Sequence, residues 1–490
     1  MNKKRLFSIV ALIVVLALAV GVLVACNSYK WDSIGMGDSS ANVVSNGGYY
    51  VEQGRYVYFI NGYVGDNADN TWGTPYKQSI MRAEKKADGT IDNESAKVVV
   101  PKSIYNGSKN GGFAIYDDWI YYATPNNDED KSGTPSTTHT DFMRTKTDGS
   151  VTQLIATINS RSSEYLFTPT RVLYRTDTST VYYVDFSGMR TDKSIDNGKG
   201  AYGGTLVENA TSILWGYDAD RANGVSSVTD YVFYTQTVED ETGAKFYNNL
   251  YAVKYDGSEE PRLLLSGLAE GQDVNDIENV FNYTLVDMTV DSDDTVTLYY
   301  TKKIDADANA DRGLYENTFS LSGGMGAESK LTDSGLTSFY PLGYGNGILA
   351  VKDSNVYFVN GSGNYTDENL VIGAGRNAAV QAVIDGYVYY TAGSDGALYR
   401  VNMPGTDGDS VNETEVIESG VKSDWLNLEF VGGRLFYFDT EDYSYVHYVD
   451  LGDFDGNEFT SKTTVLVGKM TQADADAKAE AEKEEEEENA

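Results

Sequence analysis

The chain has 490 residues, and its 73 acidic and 38 basic side chains give a net charge of −35. A surface this negative repels nucleic-acid phosphates, so nucleic acid is excluded as a partner. One cysteine excludes an internal disulfide and a cysteine-rich zinc site, and two histidines leave little room for a histidine-rich catalytic centre.

Residues 1–25 are predicted to be an export signal, because basic residues at 3–5 precede an apolar run. The run ends in the motif Leu23–Cys26, which resembles the signal of bacterial lipoproteins. The resemblance implies cleavage before Cys26 and acylation of its sulfur and amino group, which anchors the protein stably in a membrane. The alternative is an uncleaved signal helix, since the run is almost long enough to span a bilayer. Both interpretations place the rest of the chain on the extracytoplasmic side.

Residues 26–41 are polar and are interpreted as a short tether to the membrane. At the other end, residues 469–490 form a low-complexity tail, in which residues 471–490 carry nine acidic groups and two lysines. Such blocks repel themselves and stay solvated, so we interpret the tail as solubilising; a partner-binding tail is the alternative.

The region between them, residues 42–468, is a repeat. Each unit has a tyrosine-rich strand, a loop, a strand, an Asp-Gly turn and a further strand. Asp-Gly between strand-forming runs is a strong hairpin signal, because both residues tolerate positive φ. The clearest copies centre on Trp119–Tyr122, Tyr231–Tyr234 and Tyr387–Tyr390, and another strand precedes most copies.

Eight such units of about 50 residues predict an all-β fold, a β-propeller of four-stranded blades. The five further copies centre on Tyr56–Phe59, Val172–Tyr174, Leu298–Tyr300, Ile348–Val351 and Leu435–Phe438. Seven blades is the alternative blade number, and an open β-solenoid is the alternative fold, although solenoid repeats are shorter and more uniform.

The repeated pattern of Trp/Tyr-Ile/Val-Tyr-Tyr, Leu-Tyr-Arg and Asp-Gly resembles tyrosine-rich bacterial propellers of a domain family of unknown function. These are similar to the YWTD propellers of the low-density-lipoprotein receptor. The chain departs from the receptor pattern at its Trp-Thr-Asp part, where it has Tyr121–Thr124. The resemblance implies a fold and an extracellular location, and it implies no chemistry.

Tyrosines inside the repeat are predicted to pack between blades, whereas aromatic residues in long loops are free to bind ligands. The loops between second and third strands are long in blades one, two, four and five. They share a face with the loops between blades. Trp72 and Tyr76 in the first of these loops are the candidate ligand-binding residues.

One acidic segment has the spacing of a calcium-binding loop, with oxygen ligands at positions 1, 3, 5, 7 and 12. Its candidate ligands are Asp305, Asp307, Asn309, Asp311 and Glu316. Ala310 replaces the usual turn glycine and no helices flank the segment, so a merely solvated acidic loop is the alternative. The sequence requires no cofactor, and calcium is the one ion that it suggests.

No catalytic residues are predicted. The sequence has no Gly-x-Ser-x-Gly motif, and His139 and His447 fit surface and sheet positions. We therefore expect a monomeric binding protein, anchored through Cys26 and holding a glycan, peptide or protein partner without catalysis. Two alternatives remain: a polysaccharide-acting enzyme with carboxylates at the propeller mouth, and a scaffold for envelope assembly.

Overall fold

A computed structural model describes most of the repeat region. The residues that it describes are 35–38, 42–45, 48–61, 78–104, 112–125, 139–158, 164–187, 189, 202–215, 230–239, 246–268, 271, 280–292, 295–304, 313–320, 323–332, 338–343, 345–361, 365–393, 396–404, 413–417, 428–438, 446–460 and 464–466. Within them, the strands form eight antiparallel sheets.

The first four blades follow a two-residue strand, β1 (Val43–Val44). Blade 1 contains β2 (Tyr50–Gln53), β3 (Tyr56–Ile60), β4 (Ile80–Lys85) and β5 (Ile91–Val100). Blade 2 contains β6 (Ala114–Tyr116), β7 (Trp119–Pro125), β8 (Thr140–Lys146) and β9 (Thr152–Ile158). Blade 3 contains β10 (Glu164–Phe167), β11 (Arg171–Arg175), β12 (Val181–Asp185) and β13 (Tyr202–Val207). Blade 4 contains β14 (Ala210–Leu214), β15 (Tyr231–Glu239), β16 (Phe246–Lys254) and β17 (Arg262–Leu265).

The second four blades repeat this order. Blade 5 contains β18 (Phe281–Ser292), β19 (Thr295–Ile304), β20 (Gly313–Ser320), and the short edge strands β21 (Gly324–Met325) and β22 (Ser329–Thr332). Blade 6 contains β23 (Ser338–Pro341), β24 (Ile348–Lys352), β25 (Asn355–Val359) and β26 (Leu370–Ile372). Blade 7 contains β27 (Ala379–Ile384), β28 (Tyr387–Ala392), β29 (Ala397–Asn402) and β30 (Thr414–Ile417). Blade 8 contains β31 (Glu429–Val431), β32 (Arg434–Tyr437), β33 (Val446–Asp450) and β34 (Thr464–Leu466).

The eight blades form a closed ring, a β-propeller. Seven clusters of buried apolar side chains each join neighbouring blades, and together they cover every interface from blade 1 round to blade 8 and back. The first strands of adjacent blades approach one another, as between β14 and β18 and between β2 and β31. First strands are therefore innermost, as in propellers generally.

The ring has two faces. One side carries the connections between first and second strands and between third and fourth strands, and we call it the turn face. The opposite side carries the connections between second and third strands and between successive blades, and we call it the loop face. The Asp-Gly hairpins, such as Asp148-Gly149 between β8 and β9, lie on the turn face, with φ of +73° at Gly149.

The ring closes without exchange of a strand between its first and last blades. Blade 8 takes all four strands from its own unit, and β1 adds instead to the inner edge of blade 2, where it pairs with β6. Closure depends on side chains. The Glu429 carboxylate of blade 8 accepts hydrogen bonds from the backbone N–H groups of Tyr49 (2.7 Å) and Tyr50 (2.9 Å). The Tyr50 ring also stacks on Phe436 at 4.0 Å between centroids.

Tyrosines supply much of the core, as the sequence predicts. The fully buried ones include Tyr50, Tyr122 and Tyr300, each on an inner or second strand. Both sides of a blade face another blade, so consecutive residues of a central strand are buried together. In β3 all five residues are buried.

The predicted eight blades are confirmed, and each predicted copy centres on the second strand of a blade. Two features differ from the sequence interpretation. The short strand β1 and the division of the blade 5 edge into β21 and β22 have no counterpart in the repeat pattern. The described residues include two short 3-10 turns (Asp367–Asn369 and Ala374–Arg376), and no helix among them is long and apolar enough to cross a membrane.

Candidate functional site

A backbone hydrogen bond joins the two ends of the first long loop. Between β3 and β4, the N–H of Asn61 donates to the carbonyl of Ser79 at 2.8 Å, and both residues are buried. Trp72 and Tyr76 belong to this connection and lie outside the described residues, as Cys26 does. The described ends of this loop therefore lie side by side on the loop face.

The loop face is uneven in height. In blade 4 the β15–β16 ladder continues to the pair Glu239–Phe246, beyond the point where β14 pairs with Gln236. In blade 5 the ladder also extends to the pair Phe281–Ile304. Blades 3, 6 and 7 have short connections instead, such as the one between β24 and β25. The loop face is therefore uneven, because the second and third strands are longer in blades 4 and 5 than in blades 3, 6 and 7.

Only one of the predicted calcium ligands falls within the described residues. Asp305, Asp307, Asn309 and Asp311 lie outside them. Glu316 lies in β20, opposite Tyr299, and is 3% exposed between blades 5 and 6. One of its carboxylate oxygens accepts a long hydrogen bond (3.4 Å) from the N–H of Gly345, in the turn between β23 and β24 on the turn face.

Glu316 is the most unusual acid among the described residues. Its second carboxylate oxygen is buried and has no hydrogen-bond partner. Burial raises the pKa of the Glu316 carboxyl above its ordinary value, and the nearby Asp291 adds to the effect, while the Gly345 amide opposes it. Asp291 itself is exposed and accepts a hydrogen bond from the Thr289 hydroxyl at 2.9 Å.

Other pKa shifts concern structural tyrosines. Burial is the main cause in each, and it raises the pKa of Tyr58, Tyr234 and Tyr390 to about 12. Proton transfer at neutral pH requires groups whose pKa lies near 7, so these tyrosines are suited to packing. Among the described residues no group of three or more histidine, cysteine, aspartate or glutamate side chains could hold a metal ion. His447 is a buried sheet residue whose ring packs against Tyr437 at 5.4 Å.

The sequence interpretation missed a set of buried arginines. Arg82, Arg144 and Arg400 occupy equivalent places on the third strands of three blades, each directly opposite a tyrosine that is the third residue of the second strand. Each guanidinium lies over the aromatic ring that begins the second strand, at 4.2–4.3 Å. The local sequences are Ile80-Met81-Arg82, Phe142-Met143-Arg144 and Leu398-Tyr399-Arg400, so the signal was an arginine after two apolar residues of the third strand.

The arginines also connect neighbouring blades. Arg82 of blade 1 donates to the carbonyl of Thr147 in the Asp-Gly turn of blade 2, at 2.8 Å. Arg171 of blade 3 donates likewise to Tyr255 in the Asp-Gly turn of blade 4, at 2.8 Å. Arg434 of blade 8 reaches the carbonyl of Gly89 in blade 1 at the same distance. These cations therefore stabilise the ring by stacking and by charge-assisted hydrogen bonds.

The similarity of this chain to known proteins is low. No protein-family model matches the chain, and no curated protein matches it. Among solved structures it is similar to the β-propeller domain of the Trilobed protease from Pyrococcus furiosus, described as having an open velcro topology. The identity is 8%, the TM-score is 0.35, and the match covers 88% of this chain and 97% of that one.

Two further structures are similar to the same extent. The acylaminoacyl peptidase of Pyrococcus horikoshii is 12% identical with a TM-score of 0.33, covering 72% of this chain and 52% of that one. The C-terminal WD40 domain of Sif2 is 10% identical with a TM-score of 0.32, covering 70% of this chain and 81% of that one. The fold assignment rests on the strand order of the eight sheets.

Proposed function

We propose that this protein is a membrane-anchored extracytoplasmic lipoprotein whose propeller binds a glycan, peptide or protein partner without catalysis. The observation that carries the binding role is the loop face, where connections of unequal length stand on a rigid ring. The signal at residues 1–25 and the lipoprotein-like Cys26 support the anchor. The resemblance of the repeat to tyrosine-rich bacterial propellers points in the same direction.

The partners of the buried arginines and of Glu429 support binding over catalysis. The five buried or half-buried arginines of the blade interfaces contact aromatic rings, backbone carbonyls or both. Glu429 is engaged by two backbone amides of blade 1. Charged groups held by such partners stabilise a structure, whereas catalytic groups need free access to a substrate.

The test is a glycan and peptide array probed with the full chain carrying Cys26→Ser, so that acylation does not interfere. We expect selective binding to one ligand class. The double variant Trp72→Ala/Tyr76→Ala should lose most of it, because aromatic side chains supply the largest contacts of such sites. The matched control changes one tyrosine and one tryptophan of the tether, Tyr29→Ala/Trp31→Ala, and should bind as the parent does.

Other outcomes distinguish the alternatives. Cleavage of an arrayed polysaccharide by the parent chain would establish an enzyme and contradict the proposal. Equal loss of binding in both double variants would show that the first loop is not the site. Absence of any glycan or peptide ligand, with capture of a large envelope protein, would favour a scaffold.

A further inference from the structure

The N-terminal segment enters the ring from the turn face. The N–H of Gly37 donates to the Thr147 hydroxyl at 3.0 Å, in the β8–β9 turn. The next residue, Asp38, lies against the β2–β3 turn, where a Cβ placed on Gly54 would be 2.0 Å from an Asp38 carboxylate oxygen. Both turns belong to the turn face, so two independent contacts fix the segment there.

The direction of β1 supports the same entry point. The side-chain oxygen of Asn42 accepts a hydrogen bond (3.2 Å) from the N–H of Asp117, in the β6–β7 turn on the turn face. The chain then runs along β6 through the pairs Val43–Ile115 and Val44–Ala114. At the loop-face end of β6, the N–H of Ser45 donates to Phe113 at 2.9 Å. Because β1 is antiparallel to an innermost strand, it carries the chain from the turn face up to the loop face.

Covalent geometry limits the distance between this entry point and Cys26. Gly37, whose N–H contacts the turn face, lies eleven positions after Cys26. A fully extended chain of this length spans at most about 40 Å. A lipid attached at Cys26 would therefore hold the turn face within about 40 Å of the bilayer surface.

We infer that the anchored propeller directs its turn face toward the membrane and presents its loop face, with the partner-binding loops, away from it. This inference rests on the proposed lipid anchor and adds the orientation of the binding surface. A partner outside the cell then reaches the loop face without obstruction by the bilayer, which suits a soluble or wall-bound macromolecule.

The turn face also carries many exposed acidic side chains. Several acidic side chains on its turns are exposed, among them Asp88, Asp117, Asp256, Asp385, Asp453 and Asp455. Exposed bases on the same face include Arg55 and Lys86. An acidic face is repelled by anionic lipid over about 10 Å, one Debye length in 0.1 M salt. The propeller should therefore stand off the bilayer on its tether.

Resonance energy transfer to acceptor-labelled lipids tests the orientation. Cys26 is the only cysteine of the chain, and its sulfur carries the lipid in the acylated protein. A single introduced cysteine is therefore the only free thiol and takes one donor dye. Ser150→Cys places a donor on the turn face of blade 2, and Thr178→Cys places one on the loop face of blade 3; both positions are exposed. Blade strands of five to seven residues separate the two by about 20 Å.

In vesicles of neutral lipid we expect the Ser150→Cys donor to transfer energy several-fold faster than the Thr178→Cys donor. Equal transfer, or faster transfer from Thr178→Cys, would overturn the orientation. Both labels placed in a Cys26→Ser background should show no transfer. If that variant still associates with vesicles, the proposed lipid anchor at Cys26 is wrong. This outcome differs from equal transfer by the two donors, which would contradict only the orientation.

Discussion

At the scale of single residues, Glu429 has the most defined role. Its carboxylate accepts the N–H groups of Tyr49 and Tyr50 across the seam between the last and first blades. Gly48 leaves room for it, since a Cβ there would lie 2.3 Å from a carboxylate oxygen. Glu429 thus joins the first and last blades, together with the Tyr50–Phe436 stack and the hydrogen bond from Arg434 to Gly89.

Glu429→Ala should lower the free energy of unfolding by about 3 kcal/mol, because two buried amides lose a charged acceptor and a cavity remains. Urea unfolding of the full chain measures the loss. The control is Glu415→Ala, a glutamate on an exposed position of β30, which should change stability by less than about 0.5 kcal/mol. Similar small effects for both variants would contradict a role of Glu429 in closure.

Glu316 gives a prediction with a definite dependence on pH. Burial raises the pKa of its carboxyl above the ordinary 4.5, so the folded state binds this proton more tightly than the unfolded state. Protonation of Glu316 therefore contributes to the free energy of unfolding. This contribution is fully present below pH 4.5 and is lost as the pH rises through the raised pKa of the folded state. Glu316→Gln should consequently have a higher melting midpoint than the parent at pH 7 and the same midpoint at pH 4. Equal midpoints at both pH values would contradict the prediction.

The same melting curves test the calcium hypothesis. If calcium binds through Glu316, calcium should raise the midpoint of the parent and a chelator should lower it, with no such change in Glu316→Gln. An unchanged midpoint of the parent with chelator would exclude a stabilising calcium ion. Glu415→Gln controls for a general effect of removing one negative charge.

At the scale of elements, a hydrogen bond from an arginine to the Asp-Gly turn of the next blade recurs around the ring. Arg82 lies over the Tyr56 ring at 4.3 Å and donates to Thr147 of blade 2. Arg82→Ala should therefore cost about 2 kcal/mol in the free energy of unfolding, by loss of stacking and of a charged hydrogen bond. Lys86→Ala, which removes an exposed base of the same blade, is the control and should cost far less. The prediction is wrong if the two variants unfold alike.

The sequence could predict the blades because their signals are local. Each second strand has its own run of aromatic and branched residues, and an Asp-Gly pair follows the third strand in blades 1, 2, 4, 7 and 8. The copies can therefore be counted along the sequence. The Glu429 seam could not be predicted, because its partners lie 380 and 379 positions away in the chain. Likewise β1 has only two residues, and nothing in Val43-Val44 indicates that its partner is β6.

The candidate site was predictable only in part. The unequal loops follow directly from the spacing between second and third strands, and the extended ladders of blades 4 and 5 agree with it. Glu316 was predicted from spacing as a loop ligand. Its actual neighbour is Gly345 of the next blade, a contact between segments that no local pattern reveals.

At the scale of the whole molecule, the way the ring closes is compatible with the path of the N-terminal segment and with the proposed anchor. The ring closes through side chains, which leaves the N-terminal segment free to pass along the inner edge of blade 2 from the turn face. The short stretch from Cys26 to Gly35 then connects the turn face to the proposed anchor. The loop face, where the binding residues are proposed, lies on the side opposite that tether.

Fractionation of cells that express the parent chain or Cys26→Ser tests the central claim of an anchored binding propeller most directly. We predict that the parent sediments with the membrane and resists extraction by high salt, because lipid rather than charge holds it. Cys26→Ser should be released in soluble form or remain as unprocessed precursor with its signal attached, which its size distinguishes. Processed Cys26→Ser protein that fractionates with membranes as the parent does would contradict the claim.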